Sequence, residues 1–566
     1  MNNLPSLYKG VLHENIRDLI DYCAEKYNTK DAFILKNKKG KDVTYRHISY
    51  SQFREDIIYF SNYLYAQGYK ENRVAIIGNN SYEWLIGYFA TVCGLGVVVP
   101  LDKGLPFEEV LTSLKSSDAT VLIYDKSHSA IIDKIKNETT TVTKFIAMED
   151  ISQIIENERN ISSLEDNYYY NRKIDNDKMA IMLFTSGTTS KAKAVMISHR
   201  NITSNIFAVT SSIKVYPEDR NMAFLPFHHT FGSTGMMIML HYGTSTAFCD
   251  GLKYLQKNLV EYKISVFICV PLLIEGIYKK VMATAKKQGK NKLINRMIKV
   301  TTFLMKFGID IRRKVFKSVL DQLGGNIRLI VSGASAIDKD ALAGFQAFGI
   351  TTLQGYGLTE TSPILTAECK GNLRLGSVGK PLVNVQIKID NPNEEGIGEV
   401  LAKGPNITQG YYNNPEATAD AFSDGWFKTG DLGYIDHDGY LFLCGRAKNV
   451  IVLKNGKNVY PEEIETLIAA LPYVEENMVF AAAKKHDASN ATIAAKIVYN
   501  KEYVKANYGD ISEDQLHKII DDDIDKINNR LPSYKQILRT IITDEPTIKT
   551  TTAKIKRHEE MKKIDI

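Results

Sequence analysis

Short runs of uninterrupted apolar residues alternate with helix-spaced segments through the first part of the chain. Val74–Ile77, Val97–Leu101, Val121–Tyr124, Val266–Val270 and Ile327–Val331 each read as a buried strand, and Glu83–Val92 reads as a helix. A strand without polar alternation has both faces covered, as in the parallel sheets of a doubly wound α/β domain. The pattern changes after about Gly355. The stretch from Gly376 to Gly445 is rich in glycine, and within it Val383–Ile389 alternates apolar and polar positions while Tyr440–Leu443 is a further short β-like run. A small β subdomain is expected there. From about Asn449 the chain reads as α+β, and the polar, basic Thr550–Arg557 reads as a mobile loop.

Composition narrows the class without naming a chemistry. A chain of 566 residues with 44% apolar and 24% charged residues is an ordinary globular composition of several folding units. The six cysteines (Cys23, Cys93, Cys249, Cys269, Cys369 and Cys444) form no CxxC or CxxH pair, so free thiols in a cytoplasmic protein are expected. The N-terminal residues lack a basic start followed by an apolar run, and no stretch is apolar enough to span a bilayer. A net charge of +6 does not point to nucleic acid. The charge is uneven, however. Lys279–Lys317 holds thirteen basic residues and a single acid, Asp310, interleaved with apolar positions. A solvated basic helix face is the plain reading; a peripheral membrane contact or a contact with an acidic acyl carrier protein is the sharper one.

The candidate chemistry begins at Met179–Phe184, an apolar strand that runs into Thr185, Ser186, Gly187, Thr188 and Thr189, with Lys191 and Lys193 following. Such a turn offers backbone N–H groups, hydroxyls and a positive charge, which are the elements needed to hold a triphosphate. It is not a Walker loop, because GxxxxGK[ST] does not occur.

Further motifs follow in order: Leu225-Pro-Phe-His-His-Thr-Phe-Gly232, Gln354-Gly-Tyr-Gly-Leu-Thr-Glu360, Gly398-Glu399 with Gly410-Tyr411, Trp426-Phe-Lys-Thr-Gly-Asp431, Gly445-Arg-Ala-Lys448, Gly456 with Pro461-Glu-Glu-Ile-Glu465, and Lys554. Together with the hydroxyl-rich turn, this series resembles the adenylate-forming superfamily of acyl-CoA synthetases, luciferases and peptide-synthetase adenylation domains, over nearly the whole chain. The chain departs from the family's usual pattern at Ser190, Ala192 and Ala194, where glycine, proline and glycine are common, and at Asn449, where aspartate is common.

The resemblance implies a large AMP-binding domain over residues 1–445, a hinge at 446–448 and a mobile C-terminal domain over 449–566. It implies ATP, Mg2+ and coenzyme A as substrates and cofactor. Thr185, Ser186, Gly187, Thr188, Thr189 and Lys193 would bind phosphate, and Glu360 with Thr185 would hold magnesium. Gly333, Ala334, Ser335, Gly355, Tyr356, Gly357, Thr359, Asp431 and Arg446 would bind adenosine. Lys554 would be the catalytic lysine, Lys448 the hinge, and the Gly456 loop part of the thioester-forming arrangement. His229, Gly232, Ser233 and Gly235 would line the acyl pocket.

His228 and His229 stand where amino-acid-activating relatives usually hold an aspartate, which disfavours an amino acid. The run Phe231–Leu240 mixes small residues with flexible methionines, suited to an alkyl chain. Asn79-Asn80 before Tyr82-Glu-Trp84, Gly456-Lys-Asn-Val-Tyr-Pro461 and Lys554-Ile-Lys-Arg557 most resemble the long-chain fatty acyl-CoA synthetases, which implies a medium- to long-chain fatty acid transferred to coenzyme A. The alternatives are an acyl carrier protein as acceptor, an adenylation enzyme for an aryl or amino acid, or a nucleotide-binding module without catalysis.

Overall fold

The computed structural model describes residues 3–139, 141–162, 164, 168–185, 192–335, 337–453, 456–484, 487–549 and 554–564. The chain divides into two compact units. One comprises residues 1–387, 402–427 and 437–441; the other comprises 388–401, 428–436 and 442–566.

The first unit contains two large sheets. One has six strands in the order Lys144–Ala147, Val121–Tyr124, Arg73–Ile77, Val97–Leu101, Met179–Thr185 and Lys193–Ser198. All neighbours are parallel except the last pair. The other has nine strands and a parallel centre, with Val266–Cys269, Leu329–Ser332 and Thr351–Gly357 adjacent. The expected doubly wound architecture is therefore present. Val74, Ala75, Ile76 and Ile77 are all buried, as a strand covered on both faces requires.

Local signals fix several element starts. Ser81 caps Tyr82–Ala90 by accepting from the Trp84 N–H at 3.0 Å. Ser198 and Asn201 form a capping box at the start of His199–Ser212. The helix expected through Val92 ends at Ala90 and widens into a π-turn over Thr91–Leu95. There a Cβ on Gly94 would meet the Ser61 hydroxyl at 1.9 Å, so the close approach needs glycine. The strand expected at Ile327–Val331 runs instead from Leu329 to Ser332, because it takes its register from Val266–Cys269. The strand expected at Val383–Ile389 begins at Gln386, after Asn384 turns the chain with φ +65°.

Between residues 386 and 446 the chain forms a five-stranded sheet that includes Gln386–Asp390, Gly398–Lys403, Trp426–Ile435 and Leu441–Arg446. The second unit also has a three-stranded sheet. Val474–Lys484 pairs antiparallel with Asp487–Tyr499, which pairs parallel with Ile537–Thr543. Ile464 and Ile468 of one helix and Leu516, Ile520 and Ile524 of another join Val479, Ala495 and Ile497 in one core. The segment read as a loop through Arg557 gives way at that residue to the helix Arg557–Lys563.

Candidate functional site

In the first unit, the hairpin of Met179–Thr185 and Lys193–Ser198 pairs Thr185 with Lys193 across the strands. The Thr185 hydroxyl points at the Lys193 carbonyl at 3.4 Å. Ser186, Gly187, Thr188, Thr189, Ser190 and Lys191, which complete the expected phosphate turn, lie outside the described residues. Ala194 is buried in the core with Ala75, Leu122 and Met182, and its carbonyl accepts from the Tyr412 N–H at 2.8 Å. Its methyl fills packing space that a glycine would leave empty.

The segment Thr408–Tyr412 lies against this hairpin. Gly410 accepts from the Met196 N–H at 3.0 Å, and the Thr408 N–H donates to the Glu360 carbonyl at 2.8 Å. These bonds bring Tyr411 between two expected site residues. Its ring lies 4.8 Å from the Lys193 ammonium, and its hydroxyl donates to Glu360 Oε1 at 3.0 Å. Burial, and then the Glu360 carboxylate, raises the Tyr411 phenol well above its ordinary range, so it remains a donor at any physiological pH. Tyr411 was noted in the sequence as part of a motif, but its bridging place shows only in the fold.

Gly333, Ala334 and Ser335 follow the strand Leu329–Ser332, beside Gly355, Tyr356 and Gly357 at the end of the neighbouring strand. Ala334 takes φ +77°, a conformation that turns backbone outward. A Cβ on Gly333 would lie 3.5 Å from the Gly355 carbonyl and 3.1 Å from the Phe231 ring. One on Gly357 would strike the Pro363 carbonyl at 1.8 Å, so that position admits only glycine. Tyr356 is buried, and Thr359 opens the short 3-10 turn that carries Glu360.

A narrow cavity of about 20 Å³ opens at the ends of Arg220–Ala223 and Val266–Cys269. Gly232 and Gly235 line it with Phe224, Phe227, Phe231, Met236 and Ile268; Asn221 is its one polar side chain. His229 and Ser233 are not among its walls. His229 precedes the helix Thr230–His241, and the Ser233 hydroxyl donates back to its carbonyl at 3.2 Å. Asn80 holds the preceding loop, donating to Leu225 O at 2.7 Å and accepting from the Phe227 N–H at 3.0 Å.

Asp102 was not foreseen. It stands beyond the strand Val97–Leu101, with Oδ2 3.4 Å from Nε2 of buried His228. The His228 and His229 rings are 4.2 Å apart. No local sequence signal links Asp102 to residues so far along the chain.

In the second unit, Asp431 is buried and pairs with Arg446, Oδ1 to Nε at 2.8 Å. The Arg446 guanidinium also donates to the Thr429 carbonyl at 3.2 Å. Lys448 sits in a positive cluster: burial first, and then Arg446, Arg557 and Lys554, lowers its ammonium below the ordinary lysine value. Asn449 Nδ2 donates to Glu462 Oε1 at 2.5 Å.

Lys554 is exposed, and both flanks of its segment are fastened. Before it, the Thr547 N–H donates to Glu476 at 2.8 Å and the Ile548 N–H to Glu560 at 2.8 Å. After it, Ile555 packs with Met478, Phe480 and Met561, and Lys496 pairs with buried Glu560. Gly456, with φ +76°, turns the chain before Asn458–Val459.

Comparisons with known proteins agree with this arrangement. The chain is 27% identical over 521 residues to long-chain-fatty-acid–CoA ligase FadD15 of Mycobacterium bovis, covering 86% of this chain and 85% of that one. It is 25% identical over 595 residues to the chloroplastic long-chain-fatty-acid–[acyl-carrier-protein] ligase AEE15 of Arabidopsis thaliana, covering 90% and 80%. The fold matches the crystal structure of the anthranilate CoA ligase AuaEII in complex with anthranoyl-AMP, with a TM-score of 0.77, 20% identity and 98% of both chains covered. The AMP-binding enzyme profile spans residues 20–412, and that of the AMP-binding enzyme C-terminal domain spans residues 448–564. The chain thus belongs to the AMP-binding enzyme family.

Proposed function

We propose that this protein is an AMP-forming ligase that activates a medium- to long-chain fatty acid with ATP and transfers the acyl group to coenzyme A. The observation that carries the acid class is the cavity beside Gly232 and Gly235, whose walls are apolar apart from Asn221. It has no charged group to pair an amino group. Gly235 places no side chain between the helix and Ile268, and Met236 and Phe231 can swing to admit an alkyl chain. The long-chain ligase name of the Mycobacterium bovis relative supports the same class.

In this reading the first half-reaction joins a carboxylate oxygen to the α-phosphorus and expels pyrophosphate. Two anions must meet, so positioning and charge neutralisation are the main contributions of the chain. Lys193 holds a phosphate oxygen, and the exposed Lys554 bridges the carboxylate and α-phosphate as charge develops. Asp431, oriented by Arg446, accepts from the ribose hydroxyls. Tyr356 and the backbone at Gly333–Ser335 receive adenine.

Thr185 and Glu360 fit magnesium, a hard cation served by one carboxylate, a hydroxyl and waters. Tyr411 occupies Glu360 Oε1 and fixes the carboxylate's orientation for the ion. Bound magnesium would neutralise phosphate charge. Residues 446–448 then act as the hinge of domain alternation, with the Gly456 loop serving thioester formation.

The test is pyrophosphate release over a panel of acids, with and without coenzyme A. Release that rises with chain length, and acyl-CoA formed when coenzyme A is present, is the expected result. The reading fails if aryl or amino acids are preferred. Transfer only to a carrier protein would move the acceptor to that of the Arabidopsis relative.

A further inference from the structure

Helix Asn291–Met305 packs on the first unit through one side only. Ile294, Met297 and Ile298 reach the core of that unit, and Thr301 is buried with its hydroxyl donating to the Met297 carbonyl at 3.0 Å. The flank beside that side presents Leu293, Val300 and Phe303, spaced seven and three apart and all exposed. Phe303 is 58% exposed and Phe307, just past the helix, 67%. Their rings meet edge-on with centroids 5.2 Å apart, so two large aromatic groups form one outward-facing cluster.

Around this apolar stripe lie Lys292, Arg296, Lys299 and Lys306, all exposed. Among the described residues none of the four has an ion-pair partner, whereas Arg312 and Lys317 farther along pair with Asp310 and Asp321. With thirteen bases and one acid, Lys279–Lys317 is strongly positive in a chain whose net charge is only +6.

We infer that this face docks on an anionic lipid surface. Two observations favour lipid over a protein partner. The apolar groups are interleaved with lysines at short spacing, and lysine is depleted from the cores of protein interfaces. Exposed phenylalanines beside long basic side chains are the composition of helices that lie in the headgroup layer, rings inserted and ammonium groups among the phosphates. Among the described residues no helix is long and apolar enough to cross a membrane, so the contact is peripheral. The inference does not depend on which acid is activated.

The experiment is co-sedimentation of the full-length protein with vesicles of neutral phosphatidylcholine, alone or mixed with phosphatidylglycerol. Binding to the anionic vesicles should exceed binding to the neutral ones by at least tenfold and weaken with added salt. Each basic residue near the surface contributes about fivefold to partitioning. Replacing Lys292, Arg296, Lys299 and Lys306 together by glutamine should therefore reduce it by roughly a hundredfold or more. Phe303→Ser with Phe307→Ser should reduce it about tenfold. Both variants alter exposed positions, so their thermal midpoints and their pyrophosphate release on a water-soluble acid should match wild type. Equal binding to both vesicle types, unchanged partitioning of the glutamine variant, or no vesicle binding at all would overturn the proposal. Binding to an acidic soluble protein without binding to vesicles would overturn it equally.

Discussion

The Tyr411 hydroxyl donates to Glu360 at 3.0 Å while its ring lies 4.8 Å from the Lys193 ammonium, so one tyrosine joins the expected phosphate and metal residues. Tyr411→Phe keeps the ring and removes the donor. A hydrogen bond to a charged group is worth about 1.5–3 kcal/mol, so adenylation should fall about ten- to hundredfold. Much of that loss should appear as a higher magnesium requirement, because Glu360 loses its orientation. Pyrophosphate release measured across a magnesium titration checks this. A uniform fall at every magnesium concentration would argue that Tyr411 only packs.

Lys554 stands exposed on a segment fastened at both flanks, an arrangement suited to delivering one ammonium group. Lys554→Ala should abolish acyl-adenylate formation from ATP and acid. Thioester formation from a presupplied acyl-adenylate and coenzyme A should survive. Loss of both reactions to the same extent would count against the division of labour between Lys554 and the hinge.

The Lys496–Glu560 pair offers a test of what fastens that segment. Glu560 is fully buried, accepts from Ile548 N–H and Lys496, and is held below the ordinary glutamate value by these bonds against its burial. Lys496→Met leaves the carboxylate without its counter-charge and should cost about 3–5 kcal/mol of stability, read by urea unfolding. Lys496→Met with Glu560→Leu should recover most of that loss. Because the folded pKa is depressed, the stabilisation is present above the unfolded value and is lost as pH falls through the folded one.

Much of the architecture was legible because it rests on local patterns. All five apolar runs of the first part became parallel strands within a residue or two, since covered strands need no polar alternation. Strand ends were less legible: Leu329–Ser332 takes its limits from its neighbour, a tertiary effect. Gly232 and Gly235 were chosen as small residues near an acid pocket, and both line a cavity; His229 and Ser233 were chosen with them and do not. The contact of Asp102 with His228 was invisible, because it depends on how the chain folds beyond two strands, not on any spacing in the chain.

Glu368 predicts a pH dependence unrelated to catalysis. It is buried, accepts from the Gln354 and Arg374 N–H groups at 3.1 and 3.0 Å, and burial raises it from 4.5 to about 7. The folded state therefore keeps a proton that the unfolded chain has released between those values. Stability should fall as pH rises from 4.5 to about 7 and level off above, by roughly 3 kcal/mol from this group. Glu368→Gln should flatten that slope in thermal melts, even if one accepting oxygen is lost. An unchanged slope would show that another group is responsible.

Gly235 tests the acid pocket most directly. A Cβ there would lie 3.2 Å from Ile268 Cδ1, across the cavity. A leucine would fill the space proposed for the acyl chain, while the phosphate and metal residues, which lie elsewhere in the unit, would be untouched. Each buried methylene contributes about 0.8 kcal/mol, so excluding three of them should lower kcat/KM for a long-chain acid roughly fiftyfold. Acids too short to reach the leucine should keep nearly full activity, which guards against a simple folding defect. The ratio of rates for long and short acids is therefore the measurement. If Gly235→Leu lowers both equally, or neither, the acyl chain lies somewhere other than this cavity.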